Sequence, residues 1–163
     1  MAQSFMHAND LALEFARGAD AAAIAQMSRD HIEAGLGWEY RPERIARYLG
    51  DADAVVLTAR VRGSLAGFAI MNFGDERAHL VLLAVAPPLR RQGIGARMVA
   101  WLVGSARVAG VVSVHVELRA GNHAAARLYR AAGFVQTLRV DGYYGGREAA
   151  IRMLLLLRPP VPG

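Results

Sequence analysis

The sequence predicts an α/β (α+β) fold, built as one domain on a mixed, mostly antiparallel sheet of six to seven strands flanked by about four helices. A chain of 163 residues is long enough for one domain with a sizeable core. Its first half contains apolar runs joined by tight turns, which is typical of hairpins. Its second half places a helical segment between two strands, as a β–α–β crossover does. We assign residues 1–158 to the domain and 159–163 to a flexible tail.

The first half of the chain predicts a strand, two helices and a hairpin. The strand covers Leu11–Arg17. The first helix begins at the N-cap Asp20 and ends near Gly35, and the second extends from Pro42 to Gly50. The runs "AVVLTARV" and "LAGFAIMNF" flank the turn "RGS" and predict the hairpin.

The second half predicts the crossover and two final strands. "RAHLVLLAVAP" is apolar almost throughout, as expected of a central strand. A glycine turn leads into the helix "IGARMVAWLVGSARVAG", followed by the alternating strand "VVSVHVELRA". The helix "NHAAARLYRAAGF" ends at Gly133, where a left-handed cap is expected. "FVQTLRV" and "EAAIRMLLLL" predict strands around a "DGYYGGR" loop.

Composition limits the chemistry that this chain can perform. The net charge is +5, all 19 basic residues are arginine, and cysteine is absent. Disulfides, thiolate metal sites and lysine Schiff bases are therefore excluded. The arginines are dispersed, which favours a small anionic ligand over nucleic acid, although arginine usage can also reflect genome composition. We expect a cytoplasmic protein with no metal, nucleic-acid or membrane partner, and we leave a homodimer open.

The turn in "LRRQGIGARMV" is the strongest candidate for a binding site. Gly93 and Gly95 stand where the turn meets a helix, so unpaired N–H groups and the helix dipole face an approaching phosphate. A P-loop is excluded because no Gly-Lys-Ser/Thr follows. A dinucleotide-binding turn is a rival, but Met98 stands where a small residue is needed. A loop without a ligand is the remaining alternative.

Beyond its glycines, this segment resembles a known family. "RRQGIGA" fits the (Arg/Gln)-x-x-Gly-x-(Gly/Ala) signature of the GNAT superfamily of N-acetyltransferases. "VELRAGNHAAARLYRAAGFV" and "GYYGGREAAIRM" resemble the branch of ribosomal-protein alanine N-terminal acetyltransferases. The resemblance covers about Val81 to Met153. It implies a GNAT-type fold with a splayed central strand pair.

The resemblance also implies an activity, which is the transfer of an acetyl group from acetyl-CoA to a primary amine by direct attack in a ternary complex. The amine would belong to a protein N-terminus or to a small molecule. A non-catalytic CoA-binding regulatory domain is the alternative. A nucleic-acid binder is a third hypothesis, but no recognition helix with a basic face is evident.

The resemblance assigns acetyl-CoA contacts to specific positions. The diphosphate would contact the turn and the start of its helix, at Arg90, Arg91, Gln92, Gly93, Ile94, Gly95 and Ala96. The pantetheine arm would contact the preceding strand and the next helix, at Leu83, Ala84, Val85 and Asn122. Core packing of the strand and simple helix capping by Asn122 are the corresponding structural alternatives.

Two residues are candidates for the acid–base chemistry. Glu117 lies on the polar side of an apolar strand and is the candidate base, with His115 as runner-up and an ion pair with an arginine such as Arg119 as the structural alternative. The resemblance places Tyr129 beside the thioester sulfur as the candidate acid, and a buried core aromatic is its alternative.

The acceptor side is less determined. The loops "GLGWEY" and "GYYGGR" border the amine site in this fold, so Trp38, Tyr40, Tyr143 and Tyr144 are candidates for an aromatic wall. Glu39 or Glu148 could attract a cationic amine. The branch often shows Glu-Asp where this chain has Glu148 followed by alanine, and the first helical region lacks a close branch match, so the acceptor stays open.

Overall fold

The computed structural model describes residues 10–158, and this part of the chain forms seven strands and four α-helices. In chain order they are β1 (Leu11–Phe15), α1 (Ala21–His31), α2 (Pro42–Leu49), β2 (Ala54–Val61), β3 (Ser64–Phe73), β4 (Arg77–Val85), α3 (Ile94–Ala109), β5 (Ser113–Arg119), α4 (His123–Ala131), β6 (Val135–Tyr144) and β7 (Glu148–Leu156). The predicted tail, 159–163, lies outside the described residues.

The strands form one mixed sheet in the order β1-β2-β3-β4-β5-β7-β6. β4 and β5 are parallel, and α3 makes the crossover between them. β1 with β2, β5 with β7 and β6 with β7 are antiparallel. The links from β2 to β3 and from β3 to β4 are two and three residues long, which only antiparallel neighbours allow. The predicted mixed, mostly antiparallel sheet is confirmed.

The pairing of β4 with β5 is short. It joins Arg77–Leu80 to Ser113–Val116 and extends no further, although β4 continues to Val85 and β5 to Arg119. The backbone groups at the carboxyl end of β4 are therefore not used in a ladder with β5. This is the arrangement that the expected splayed strand pair requires.

Contacts divide the described residues into two compact units, and the first contains residues 10–70 together with Leu82–Met98. In this unit β1 pairs with β2, α1 packs on α2, and α2 packs on β2. The hairpin between β2 and β3 turns through Arg62 and Gly63, whose positive φ angles of 51° and 82° match the type I′ turn of two-residue hairpins. The predicted "RGS" turn is confirmed.

The second unit contains Met71–Val81 and residues 99–158. Its central strand, β5, alternates from Val114 onward, with Val114, Val116 and Leu118 buried on one face. His115, Glu117 and Arg119 occupy the other face, as the sequence pattern predicted. β7 pairs along the whole of β5 and carries β6 on its outer side. This polar face holds the acid–base groups described below.

Three predicted boundaries are wrong. β6 extends through "DGYY" to Tyr144 because a register irregularity after Val140, with Gly142 at φ 65°, lets the strand bend without ending. Asp20 makes no side-chain cap on α1 and accepts instead from the Arg17 amide at 2.8 Å, which stabilises a 3-10 turn and ends β1 early. α1 ends at His31, four residues before Gly35.

Within residues 10–158, no helix is long and apolar enough to cross a membrane.

Candidate active site

The first unit contains the predicted anion-binding turn. Arg91 and Gly93 both have left-handed backbone conformations, with φ of 63° and 81°, and α3 starts at Ile94. The Gly93 carbonyl accepts from the Arg97 amide at 3.0 Å, so it begins the helical hydrogen-bond pattern. The amides of the first turn have no partner within the helix. Left-handed conformation is uncommon for arginine, and such outliers cluster at functional sites.

Side chains around this turn make it suitable for an anion. Arg91, Gln92 and Ala96 are exposed, and Ile94 is buried, so Ile94 can offer only its backbone amide to a ligand. Three arginines and no acidic residue occur between Val81 and Met98. A Cβ placed on Gly93 would meet no atom within 4 Å, which leaves open space next to the backbone.

Two hydrogen bonds hold the end of the strand before the turn, one to the turn itself and one to β3. Arg90 Nε donates to the Val85 carbonyl at 3.0 Å, and the Ala86 amide donates to the Ala66 carbonyl at 2.8 Å. Next to them, a Cβ on Gly67 would lie 2.7 Å from the Ala84 carbonyl oxygen. Any residue other than glycine would therefore clash with the β4 backbone here. Leu83 and Val85 are half-buried, while Ala84 is buried.

In the second unit, Glu117 lies in a polar cluster. It stands directly opposite Arg152 on β7, and Arg152 Nε donates to Glu117 Oε2 at 2.9 Å. The Tyr143 hydroxyl also donates to this carboxylate, and that hydrogen bond raises the pKa of Tyr143. An ion pair with an arginine, given above as the structural alternative to a role for Glu117 as base, is present, but its partner is Arg152 and not Arg119.

Arg119 and Tyr144 form a second polar contact beside the first. Arg119 Nε lies 2.6 Å from Glu148 Oε1, and the Arg119 guanidinium lies 5.9 Å from the centre of the Tyr144 ring. Burial raises the pKa of Tyr144 to about 12. The two tyrosines pack edge to face, with ring centroids 5.0 Å apart. The sequence suggested that Glu148 could attract a cationic amine, but its negative charge is already paired with Arg119.

The runner-up base lies on the same face of β5 in a different environment. His115 is directly opposite His79 in the parallel ladder, and its Nε2 lies 2.9 Å from Ser113 Oγ. Partial burial and the neighbouring charge of Arg77 lower the pKa of His115. Burial also lowers the pKa of His79. Both imidazoles are therefore neutral at neutral pH.

Tyr129 and Asn122 belong to the α4 segment of the second unit. Tyr129 is buried, its ring centroid is 5.4 Å from that of Phe134, and burial raises its pKa far above the ordinary value of a tyrosine. Its hydroxyl therefore stays protonated across the physiological range, as a general acid requires. Asn122 caps α4, since its Oδ1 accepts from the Ala125 amide at 3.1 Å.

Trp38 and Tyr40 lie in the first unit, between α1 and α2. The guanidinium groups of Arg29 and Arg41 stand 5.2 and 5.0 Å from the Trp38 ring centre, and that of Arg44 stands 4.2 Å from the Tyr40 ring centre. Such contacts hold aromatic rings in place by cation–π attraction. Burial raises the pKa of Tyr40.

This loop depends on a residue that the sequence interpretation missed. Glu33 is buried, and its Oε1 accepts from the amides of Glu39 and Tyr40 at 2.7 and 3.2 Å. Its Oε2 accepts from the Ser28 hydroxyl at 2.8 Å. The signal in the sequence was an acidic residue on the apolar side of a helix end, where burial requires partners.

The structure thus assembles the predicted residues in two groups. The first unit holds the turn, the end of β4 and the two aromatic residues of the α1–α2 loop. The second unit holds Glu117, Tyr143 and Tyr144 in one cluster, with Asn122 and Tyr129 on the α4 segment. Arg152 joins this cluster although the sequence interpretation did not include it. Within the described residues, no group of three or more His, Asp or Glu side chains could hold a metal ion.

Solved structures define the class of protein to which this fold belongs. The ribosomal-protein-S18-alanine N-acetyltransferase of Escherichia coli superposes with a TM-score of 0.80 at 26% identity, over 93% of this chain and 96% of that one. The protein yncA of Salmonella typhimurium, solved with its cofactor acetyl-CoA, superposes with a TM-score of 0.79 at 24% identity, over 94% and 98% of the two chains. At 24% identity, the comparison with yncA shows a shared fold and nothing more.

The chain belongs to the acetyltransferase (GNAT) family, whose family model matches residues 22–134. The [ribosomal protein bS18]-alanine N-acetyltransferase of Escherichia coli strain K12 is 38% identical over 96 residues, which is 57% of this chain and 65% of that protein. The match thus spans slightly less than two thirds of the length of this curated relative. The family resemblance carried by the turn and by the α4 segment is confirmed.

Proposed function

We propose that this protein is an N-acetyltransferase that transfers an acetyl group from acetyl-CoA to a primary amine. The observation that carries the proposal is the turn before α3, where the left-handed residues Arg91 and Gly93 precede the first amides of a long helix and the neighbouring arginines are exposed. Family membership and the names of the relatives support the same activity. We also propose a cytoplasmic location, as expected from the sequence.

The residues of the turn fit the diphosphate of acetyl-CoA. Unpaired amides at the N-terminus of a long helix bind phosphate oxygens, and the helix dipole adds positive charge there. A side chain on Gly93 would occupy the open space next to these amides. We assign the diphosphate to the backbone from Arg91 to Ala96, with charge from Arg90 and Arg91. We assign the pantetheine arm to Leu83–Val85 and Asn122.

Acetyl-CoA supplies an activated acetyl group as a thioester, and the acid–base groups of this chain lie in the second unit. In the proposed step the amine nitrogen forms a bond to the acetyl carbon and the carbon–sulfur bond breaks. Glu117 takes the proton that the amine loses, and Tyr129 donates a proton to the departing thiolate. Burial keeps the Tyr129 hydroxyl protonated, so a proton is present on it for the departing thiolate.

For the acceptor we propose the α-amine of a protein or peptide N-terminus. The curated relatives are named for acetylating the alanine of ribosomal protein bS18. In this chain Glu117 and Glu148 are each paired with an arginine, so their cluster offers no surplus of negative charge. A polycation such as a polyamine or an aminoglycoside would gain little attraction from such neutralised pairs. A single amine on a peptide needs no such surplus.

Two measurements test this proposal. Calorimetric titration with acetyl-CoA should show saturable binding, and absence of heat at millimolar ligand would refute the site. Thiol release should then be followed with peptides that begin with alanine, with polyamines and with aminoglycosides, and we expect turnover with the peptides. Binding without thiol release from any acceptor would instead support a regulatory CoA-binding domain.

The role of Glu117 has its own test. We expect Glu117→Gln to reduce turnover most near neutral pH while acetyl-CoA binding stays unchanged. A variant that keeps the wild-type pH profile would transfer the role of base to His115 or to water.

A further inference from the structure

The pair formed by Glu117 and Arg152 is built into the sheet. The two residues are register partners on β5 and β7, so their side chains leave the same face at directly opposed positions. The distance from Arg152 Nε to Glu117 Oε2 is 2.9 Å. The Glu117 side chain is 22% exposed and that of Arg152 is 48% exposed. The carboxylate is thus the more enclosed partner, and the arginine contacts it from the solvent side.

Neighbouring strands add further groups around Glu117. Tyr143 on β6 donates to it, Tyr144 on β6 interacts with it electrostatically, and His79 on β4 interacts with both members of the pair. Tyrosine is neutral at physiological pH, and the lowered pKa of His79 keeps it neutral too. Arg152 is therefore the permanent cation that these strands present to Glu117.

The other charged groups on β5 are committed elsewhere. Arg119 is paired with Glu148 at 2.6 Å. His115 has its Nε2 2.9 Å from Ser113 Oγ, and Arg77 and His79 are the groups that act on it electrostatically. Arg152 is also the single charged residue in the apolar run "AAIRMLLLL", so the pair is not part of a general charge pattern on β7.

We propose that Arg152 is a positioning residue that holds the carboxylate of Glu117 in the orientation that proton transfer requires. The inference rests on the proposed function, in which Glu117 takes the proton of the amine. The Arg152 Nε bond from one side and the Tyr143 hydroxyl from another restrict the rotamer of Glu117. Arg152 therefore acts on the reaction through Glu117.

This role has a consequence for the kinetics. Without the guanidinium the Glu117 side chain has more rotamers, so the carboxylate is less often in the orientation that accepts the amine proton. We expect kcat of Arg152→Met to fall by about tenfold while the KM of the acceptor changes little, since the pair is half-exposed and partly screened. Arg152→Lys keeps a charged donor and should restore part of the lost kcat.

The experiment observes the Glu117 carboxyl group directly as well as the rate. Glutamate carboxyl-carbon chemical shifts are recorded by NMR in the wild type, Arg152→Met, Arg152→Lys and Arg139→Met, and the Glu117 signal is assigned by its loss in Glu117→Gln. Arg139 pairs with the exposed Asp141 on β6 and serves as the matched control. We expect the Glu117 signal to move in Arg152→Met and to stay in place in Arg139→Met. Thermal midpoints establish that each variant is folded.

A folded Arg152→Met protein whose Glu117 signal is that of the wild type overturns the proposal. So does a displaced Glu117 signal with an unchanged kcat. Absence of acetyl transfer by the wild type with every acceptor is a failure of the proposed function, and the NMR signal still decides whether Arg152 holds the carboxylate of Glu117.

Discussion

Ser28 and Glu33 are hydrogen-bonded in the interior of the first unit, with the Ser28 hydroxyl donating to Glu33 Oε2 at 2.8 Å. Both side chains are buried. The other carboxylate oxygen accepts from the backbone of the loop that carries Trp38 and Tyr40. One buried carboxylate thereby sets the conformation of this loop.

Glu33→Gln tests this function of the carboxylate. An amide has one acceptor oxygen, so its NH₂ group must face either the loop amides or the Ser28 hydroxyl, which would then have to accept instead of donate, and we expect the free energy of unfolding to fall by about 1–3 kcal/mol. Ser28→Ala removes a single donor and should cost less. Urea unfolding measures both effects. If the loop borders the acceptor, Glu33→Gln also raises the acceptor KM while acetyl-CoA affinity is unchanged, and equal stability of the two variants would contradict this view of Glu33.

Gly93→Ala separates backbone strain from ligand binding. Gly93 and Gly110 share nearly the same φ, 81° and 79°, and a Cβ added at either position would meet open space. Alanine at either position should therefore cost about 1–2 kcal/mol of unfolding free energy, because left-handed conformation disfavours a side chain. We expect acetyl-CoA affinity, measured by calorimetry, to fall in Gly93→Ala only. Equal affinities of the two variants would place the diphosphate elsewhere.

Tyr129→Phe tests the candidate acid. The change keeps the ring that packs against Phe134 and removes the hydroxyl, so we expect a lower kcat with an unchanged Kd for acetyl-CoA. Since burial raises the pKa of Tyr129 above its ordinary value of 10.0, the acid form persists at alkaline pH. The wild-type kcat should therefore show no alkaline loss from this residue up to about pH 10. Stopped assays from pH 6 to 10 provide the measurement, and unchanged kcat in the variant would remove Tyr129 from the mechanism.

His115→Gln tests the environment of the histidine pair. The folded-state pKa of His115 lies below the ordinary value of 6.5, so at lower pH the unfolded chain binds more protons than the folded one. Stability should thus fall as the pH drops through about 6.5. We expect the loss between pH 7 and 5 to be smaller in His115→Gln, with His79 responsible for part of the remainder. Urea midpoints across this range measure it, and identical slopes for the two proteins would contradict the assigned shift.

Most of the fold was predictable because periodicity and glycine chemistry act locally. The alternation of β5 located Glu117 and His115 on one face, and Gly133 at φ 99° closes the α4 segment as its position indicated. The end of β6 was not predictable, since Gly142 can either terminate a strand or permit a bulge. Asp20 is a residue type that is typical of helix N-caps, but its carboxylate accepts from the Arg17 amide and pairs with Arg60. Arg60 is distant in the sequence and comes close to Asp20 only in the folded protein.

The candidate site was predictable where one segment carries it. The turn before α3 needs only adjacent residues, so the sequence located it correctly. The partner of Glu117 required the register of β5 on β7, which joins residues 35 positions apart. Arg119 was nearer in sequence, but its position two residues along β5 places it opposite Ala150, and its guanidinium reaches Glu148.

The ion pairs of Glu117 and Glu148 both use a guanidinium, and the sequence contains no lysine. Guanidinium groups keep their proton at all biological pH values and are poor nucleophiles. A protein with this surface cannot acetylate its own side-chain amines, because it has none. Labelled acetyl groups in an incubation with acetyl-CoA therefore report transfer to added acceptors, without a background from the basic side chains of the protein.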